Sequence, residues 1–286
     1  MKKNLSWLFL SIACLFLILY LNLQNEPQVP QKQTPVKILE TQEKEPERKS
    51  SGNERIDNFN QSKRILKKLY ADHPFTFYCG CPYNDQGIDF AACGFKPHRD
   101  FKRAKRIEWE HIVPAADFGR AFVAWREGDA RCVDHEGKRY RGRKCANLVS
   151  PEFNRMEADL YNLVPAIGEV NGMRKDYPMG LLPGLPNTFG QCKTKISDGV
   201  IEPREEVRGF IARTYKYMND AYRGRGIISR KNEKLFDAWD KQYAPDKHEL
   251  ERARRIEKIQ GNKNVFVEGS SKLAERKDTQ SELGKH

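Results

Sequence analysis

Arg106-Ile107-Glu108-Trp109-Glu110-His111-Ile112-Val113-Pro114 is the stretch on which the fold turns. Its apolar residues alternate (Ile107, Trp109, then Val113), the pattern of a half-buried strand. Pro114 lacks the N–H that a central strand needs and stops the pattern. A carboxylate and an imidazole, Glu110 and His111, stand side by side at its end. Neighbouring side chains on a regular strand point to opposite faces, so the chain must end or bend there if both serve one site. A hard oxygen ligand next to a neutral general base is the pairing that metal-assisted hydrolysis requires. An isolated Glu-His pair is more often a surface carboxylate beside a core-edge imidazole, so the choice falls to the rest of the chain.

The chain has 286 residues and a formal net charge of +12. That length allows one or two domains. The charge points to polyanionic partners, either nucleic acid or an acidic membrane surface. There are seven cysteines. Cys14 lies in an N-terminal apolar run, which leaves Cys79, Cys81, Cys93, Cys132, Cys145 and Cys192. An even number in a chain with an export signal favours disulfides, and sequence alone cannot choose the pairing. The competing reading is a zinc site at Cys79, Cys81, Cys93 and His98, although Cys-x-Cys is tighter than the usual structural-zinc spacing.

Lys2 and Lys3 precede an almost wholly apolar run from Leu5 to Leu23. Residues 1–24 thus read as a signal peptide or an uncleaved signal anchor, long enough to span a bilayer. With the positive end inside, the remainder lies across the membrane. Residues 25–55, rich in Gln, Pro, Glu and Lys, read as a disordered linker. Folding is expected over residues 56–268, and residues 269–286 read as a flexible tail. Ile65, Leu66, Leu69 and Tyr70 form a helical stripe; Phe75 to Tyr78 reads as a strand, and Ala115 to Arg126 has helical spacing. Ser150-Pro151 looks like a helix start. Helices are expected at 204–223, 232–243 and 246–260, the last with Asp246 and Glu249 as a capping box and Gly261 as its stop.

Several of these stretches together resemble one family. They are Phe77-Tyr78-Cys79-Gly80-Cys81, Arg106 to Ala115, Met156-Glu157-Ala158-Asp159-Leu160-Tyr161-Asn162-Leu163, Pro165 to Gly172, Ile211-Ala212-Arg213-Thr214-Tyr215 and Ile259-Gln260-Gly261-Asn262. In this order they resemble the bacterial endonuclease I family, extracytoplasmic non-specific nucleases of the ββα-metal (His-Me finger) type. The resemblance implies an α+β fold with a ββα-metal core surrounded by helices and long disulfide-held loops. It implies His111 as the general base, Glu110 and Asn171 as ligands of one Mg²⁺ (Mn²⁺ or Ca²⁺ being alternatives), and an arginine holding the phosphate. Arg143 is the best match for that arginine, with Arg141 as the alternative, because the loop differs in length from the family's usual spacing. Glu157 and Asn162 are candidates for the shell behind the site. The implied activity is hydrolysis of double- and single-stranded DNA, and of RNA, to 5′-phosphate ends by a monomer that is periplasmic, secreted or tethered through residues 5–23.

This chain departs from the family at three places. The family usually has a cysteine where this chain has Leu250 and another near Ser271, and Tyr161 replaces a family histidine. Tyr78, Trp109, Tyr215 and Trp239 are expected in the core; Arg213 is expected either in an ion pair or at phosphate. The basic runs 102–106 and 252–255 are expected to be solvated. Two other function classes remain open on sequence: a membrane-tethered nucleic-acid binder without catalysis, which would not need His111, and a zinc-stabilised intracellular module, which would not need the apolar leader.

Overall fold

The computed structural model describes residues 52–270. Helix α1 (Phe59–Leu69) starts at Asn58, whose side chain accepts from the amides of Asn60 and Gln61, and buries Leu66 and Leu69. Strands β1 (Tyr83–Asn84) and β2 (Gly87–Ile88) form a minimal hairpin. The one-turn helices α2 (Phe90–Cys93) and α3 (Phe101–Ala104) follow. Then come β3 (Ile107–His111), α4 (Ala115–Gly119) and α5 (Val123–Arg126). Helices α6 (Arg143–Val149) and α7 (Pro151–Glu157) lead through a 3-10 turn at Leu160–Asn162 into β4 (Leu163–Ile167) and α8 (Gly168–Arg174). A hairpin of β5 (Lys195–Ser197) and β6 (Val200–Glu202) precedes α9 (Arg208–Ala221), α10 (Arg230–Gln242) and α11 (Lys247–Gln260).

The architecture is α+β. The strands of the described residues pair into three two-stranded antiparallel sheets. Three disulfides staple the loops: Cys79–Cys192, Cys81–Cys93 and Cys132–Cys145. They consume every thiol of the zinc alternative.

The central pair runs from Ile107 opposite Ile167 to His111 opposite Leu163. Pro165 lies inside β4, opposite Trp109. Its carbonyl points outward and accepts from Phe77 N at 2.8 Å. A strand residue's N and O face the same way, so the missing N–H faces away from β3 and the ladder loses no bond. All five residues of β4 are buried. Around the strand pair pack Leu66 of α1, Phe153 and Met156 of α7, and Ile211, Tyr215 and Met218 of α9. Tyr215 stacks on Phe236 of α10 with ring centroids 4.3 Å apart.

Several sequence expectations are corrected. Phe75 to Tyr78 is not a strand: only Phe75 bridges to Pro82. The chain turns instead, with Gly80 at φ +67° and Thr76 bonded to both Gly80 and Cys81. The helix expected over 115–126 is broken into α4 and α5. A Cβ on Gly119 would lie 2.4 Å from the Trp125 ring, and the break brings Phe118, Phe122 and Trp125 around Phe153. Hairpin β5–β6 was not anticipated. Arg252 is buried rather than solvated, donating to Tyr70 Oη and to the carbonyls of Leu160 and Leu163.

The linker read over 25–55 runs too far. Asn53 is buried, donates its backbone N–H to Tyr222 Oη and donates its side-chain amide to the Ile56 and Arg155 carbonyls. Ser270, in the segment read as tail, donates to Asp240. The apolar run at 5–23, the rest of the linker before residue 52 and the tail from 271 lie outside the described residues. Among the described residues no helix is long and apolar enough to cross a membrane.

Candidate active site

Strand β3, the start of α6 and the C-terminal half of α8 face one open cleft of about 660 Å³. Glu108, Glu110, His111, Arg143, Asn171 and Arg174 all line it. Just past His111 the β3–β4 ladder gives way from backbone to side-chain bonds. Ile112 N donates to the Asn162 carbonyl, and the Asn162 side chain bonds both the N–H and the C=O of Val113. Asn162 thus spends its amide on the backbone just past His111 and is absent from the cleft lining. Expected behind the site, it acts on the strand end instead.

His111 Nε2 lies 2.8 Å from the Glu157 carbonyl. A carbonyl only accepts, so Nε2 carries the hydrogen and the lone pair of the neutral ring sits on Nδ1. Burial, helped by the Arg143 cation, pushes the His111 pKa down to about 3. The ring is neutral at pH 7, with its Nδ1 lone pair free to accept a proton. Phe59 of α1 packs against it at 4.9 Å.

Glu157 ends α7 and is buried. Its carboxylate accepts from Arg143 Nε and, at 2.7 Å, from Asn147 Nδ2. One residue therefore holds His111 through its backbone and Arg143 through its side chain. Arg143 lines the cleft and lies over the Phe59 ring. Arg141 is exposed, bonds the Arg126 carbonyl and does not line the cleft.

Glu110 is 4% exposed. Its Oε1 accepts from Tyr78 Oη at 3.2 Å and from Arg174 Nη1 at 2.9 Å. Arg174 also donates to the carbonyls of His111 and Ile112. Burial pushes the Glu110 pKa up to about 7 against the pull of Arg174 and Tyr78. Asn171, on α8, donates Nδ2 to Glu108 Oε2 at 2.9 Å. Glu108 is in turn gripped by Arg103 through two bonds of 2.9 and 2.7 Å. This fixes the amide so that its other end, Oδ1, is left for a ligand.

The donors fit a hard cation. Glu110 supplies a carboxylate and Asn171 an amide oxygen. Among the described residues no group of three or more His, Cys, Asp or Glu could hold a metal ion. Two oxygen donors without a full cage suit a Mg²⁺-like ion that keeps waters and takes substrate phosphate oxygens.

Sequence reasoning missed Phe59, Glu108 and Arg174. Glu108 lies two residues before Glu110, on the same strand face, and Arg174 lies one turn after Asn171, so spacing could have flagged both. Phe59 gives no such signal. The other flagged residues sit in the interior. Tyr161 bonds the carbonyls of Ala253 and Asn262 and is absent from the cleft lining. Arg213 pairs with Glu249 and Asp240. Tyr78, Tyr215 and Trp239 are core, whereas Trp109 is half-buried and lines the cleft.

Comparison with known proteins identifies the family. The family model described as Endonuclease I matches residues 37–271. An extracellular deoxyribonuclease of Aeromonas hydrophila is 45% identical over 217 residues, covering 73% of this chain and 88% of that protein. A periplasmic deoxyribonuclease of the same organism is 45% identical over 217 residues, covering 73% and 85%. Endonuclease-1 of Buchnera aphidicola subsp. Acyrthosiphon pisum (strain APS) is 41% identical over 218 residues, covering 74% and 81%. The match runs through the whole described region, cleft included, and this chain belongs to the Endonuclease I family.

Proposed function

We propose that the chain is an extracytoplasmic endonuclease that hydrolyses phosphodiester bonds of DNA, and of RNA, as a monomer with one Mg²⁺, leaving 5′-phosphate ends. The names of its relatives support a deoxyribonuclease acting in the periplasm or outside the cell. The succession β3, β4, α8 supports the reading of a ββα-metal core. Residues 5–23 would then serve as export signal or anchor.

The observation that carries the reading is the bond from His111 to the Glu157 carbonyl, which leaves the Nδ1 lone pair free on a residue lining the cleft. His111 Nδ1 takes a proton from water as its oxygen attacks phosphorus and the P–O3′ bond breaks. Arg143, held at Nε by Glu157, presents its remaining nitrogens to the phosphate. Glu110 and Asn171 would hold the metal, which when bound stabilises negative charge on the phosphate and the leaving oxygen. Arg174 and Glu108 fix those two ligands. A cleft that grips phosphates with Lys and Arg reads little base sequence.

Plasmid digestion by the oxidised protein tests this with Mg²⁺, with a chelator and as His111→Ala. Metal-dependent nicking should fall roughly a hundred- to ten-thousand-fold in the variant. Salt-sensitive DNA binding with no cutting under any divalent metal would overturn the enzyme reading in favour of a tethered binder.

A further inference from the structure

The loop between Cys132 and Cys145 carries five cations (Lys138, Arg139, Arg141, Arg143 and Lys144) and two acids (Asp134 and Glu136). It is a built arm. The disulfide closes its base, Tyr140 N donates to the Cys132 carbonyl at 2.9 Å, and Val133 bridges to Arg139. Asp134 makes the tip: its carboxylate accepts from the amides of Glu136 and Lys138 at 3.0 and 2.8 Å, with Gly137 at φ +77°. At the base, Gly142 N donates to the Trp125 carbonyl, and Cys132, Cys145 and Ala124 form a small core under Tyr140 and Val149.

Apart from Arg143, which Glu157 holds, the cations of this arm are not matched by acids. Asp134 is spent on the turn, and the nearest partner of Glu136 is His135 at 3.7 Å. Lys138, Arg139 and Lys144 are exposed and make no ion pair among the described residues; Lys144 stands 4.6 Å over the Tyr140 ring. Some surface arginines elsewhere are paired, Arg223 with Asp220 and Arg255 with Asp72 and Glu251, whereas Arg64, Arg99 and Arg230 stand as single exposed cations without an ion pair among the described residues; the arm differs in holding three such cations on one stapled loop. The arm also runs directly into the cleft, because Arg143 is the first residue of α6 and Trp125 lines the same cavity. A stapled arm has given up much of its backbone freedom before binding, so less entropy is lost in placing its cations on a phosphate.

We propose that this arm is a second nucleic-acid contact, in which Lys138, Arg139 and Lys144 bind backbone phosphates of duplex DNA away from the scissile bond. The inference rests on the reading of the cleft as a phosphodiester-hydrolysing site. It adds a contact that lengthens the bound footprint and sets the salt dependence.

The test is binding of a fluorescent 30-base-pair duplex to the full-length, oxidised protein across a salt series in chelator, where nothing is cut. Each neutralised phosphate contributes about 0.9 to the slope of log affinity against log salt. Lys138→Ala/Arg139→Ala/Lys144→Ala should make the slope shallower by about 2.7, and Lys138→Arg/Arg139→Lys/Lys144→Arg should restore it. An unchanged slope in the alanine variant, or equal losses in both variants, overturns the proposal. So does a variant that loses only its binding to phosphatidylglycerol vesicles, which would assign the arm to a membrane surface. Plasmid cutting is scored separately: an arm-dependent slope in a protein that never cuts sinks the nuclease reading and leaves the arm standing.

Discussion

The backbone carbonyl of Glu157 lies 2.8 Å from Nε2 of His111, across 46 residues of sequence, and the carboxylate of the same Glu157 holds Arg143. The proposed base and the proposed phosphate clamp are therefore set by one residue through two different groups.

These two groups can be separated. Glu157→Gln keeps the carbonyl and weakens the grip on Arg143. The expected result is a roughly tenfold to hundredfold fall in kcat/KM, carried mainly by KM, as expected for a misplaced clamp. A variant with wild-type KM would show that Arg143 does not need this anchor.

Arg174 is 1% exposed and faces the buried Glu110 carboxylate as well as two backbone carbonyls. Removing one partner of a buried pair leaves an uncompensated charge, at a cost of about 3–5 kcal/mol. Arg174→Met should lower unfolding stability by that amount in denaturant titrations. Arg174→Lys should lie between, since one ammonium cannot span the three acceptors.

The acid limb of the reaction should belong to the metal site. In the proposed site Glu110 would have to be ionised to hold a cation, and burial pushes its pKa up to about 7. Apparent Mg²⁺ affinity should therefore fall about tenfold per pH unit below 7. His111, pushed down to about 3, stays neutral throughout that range. Raising Mg²⁺ should move the acid limb of the pH–rate profile to lower pH. A limb near pH 6.5 that ignores Mg²⁺ would instead assign it to an ordinary imidazole.

Acid also weakens the fold at a second place. His248 stacks on His73 with ring centroids 3.6 Å apart, and burial, with the His73 charge, pushes its pKa down to about 4. The folded state favours the neutral ring. Its contribution is full above the unfolded pKa near 6.5 and is lost as pH falls from there toward 4. His248→Phe keeps a ring in the stack without titrating. Its Tm should fall less than the wild type's between pH 7.5 and pH 4.5.

Much of the site was legible because its residues lie in short, patterned runs. The alternation through Ile107 and Trp109 located β3, and Asp246 with Glu249 located the start of α11, whose cap accepts from Glu249 N. Ser150 caps α7 as its position before Pro151 indicated. The misses are long-range or depend on turn chemistry. Hairpin β5–β6 turns at Asp198-Gly199, both with positive φ, a dipeptide that favours a tight hairpin turn but is flanked here by strands of only three residues. Arg252 looked solvated because its neighbours in sequence are polar, whereas its partners are 89 to 182 residues away. Phe59 reaches His111 only through the packing of α1.

The disulfide between Cys79 and Cys192 joins positions 113 residues apart. His111, Arg143, Glu157 and Asn171 all lie within the ring it closes. The Pro- and Gly-rich loop from 181 to 187, with Leu181 and Leu185 exposed, is inside the same ring. A protease that nicks this loop would leave the two pieces covalently joined, with all four residues on one of them. Nicked protein would run as two fragments only after reduction, so a working enzyme could carry a broken chain through a protease-rich surrounding.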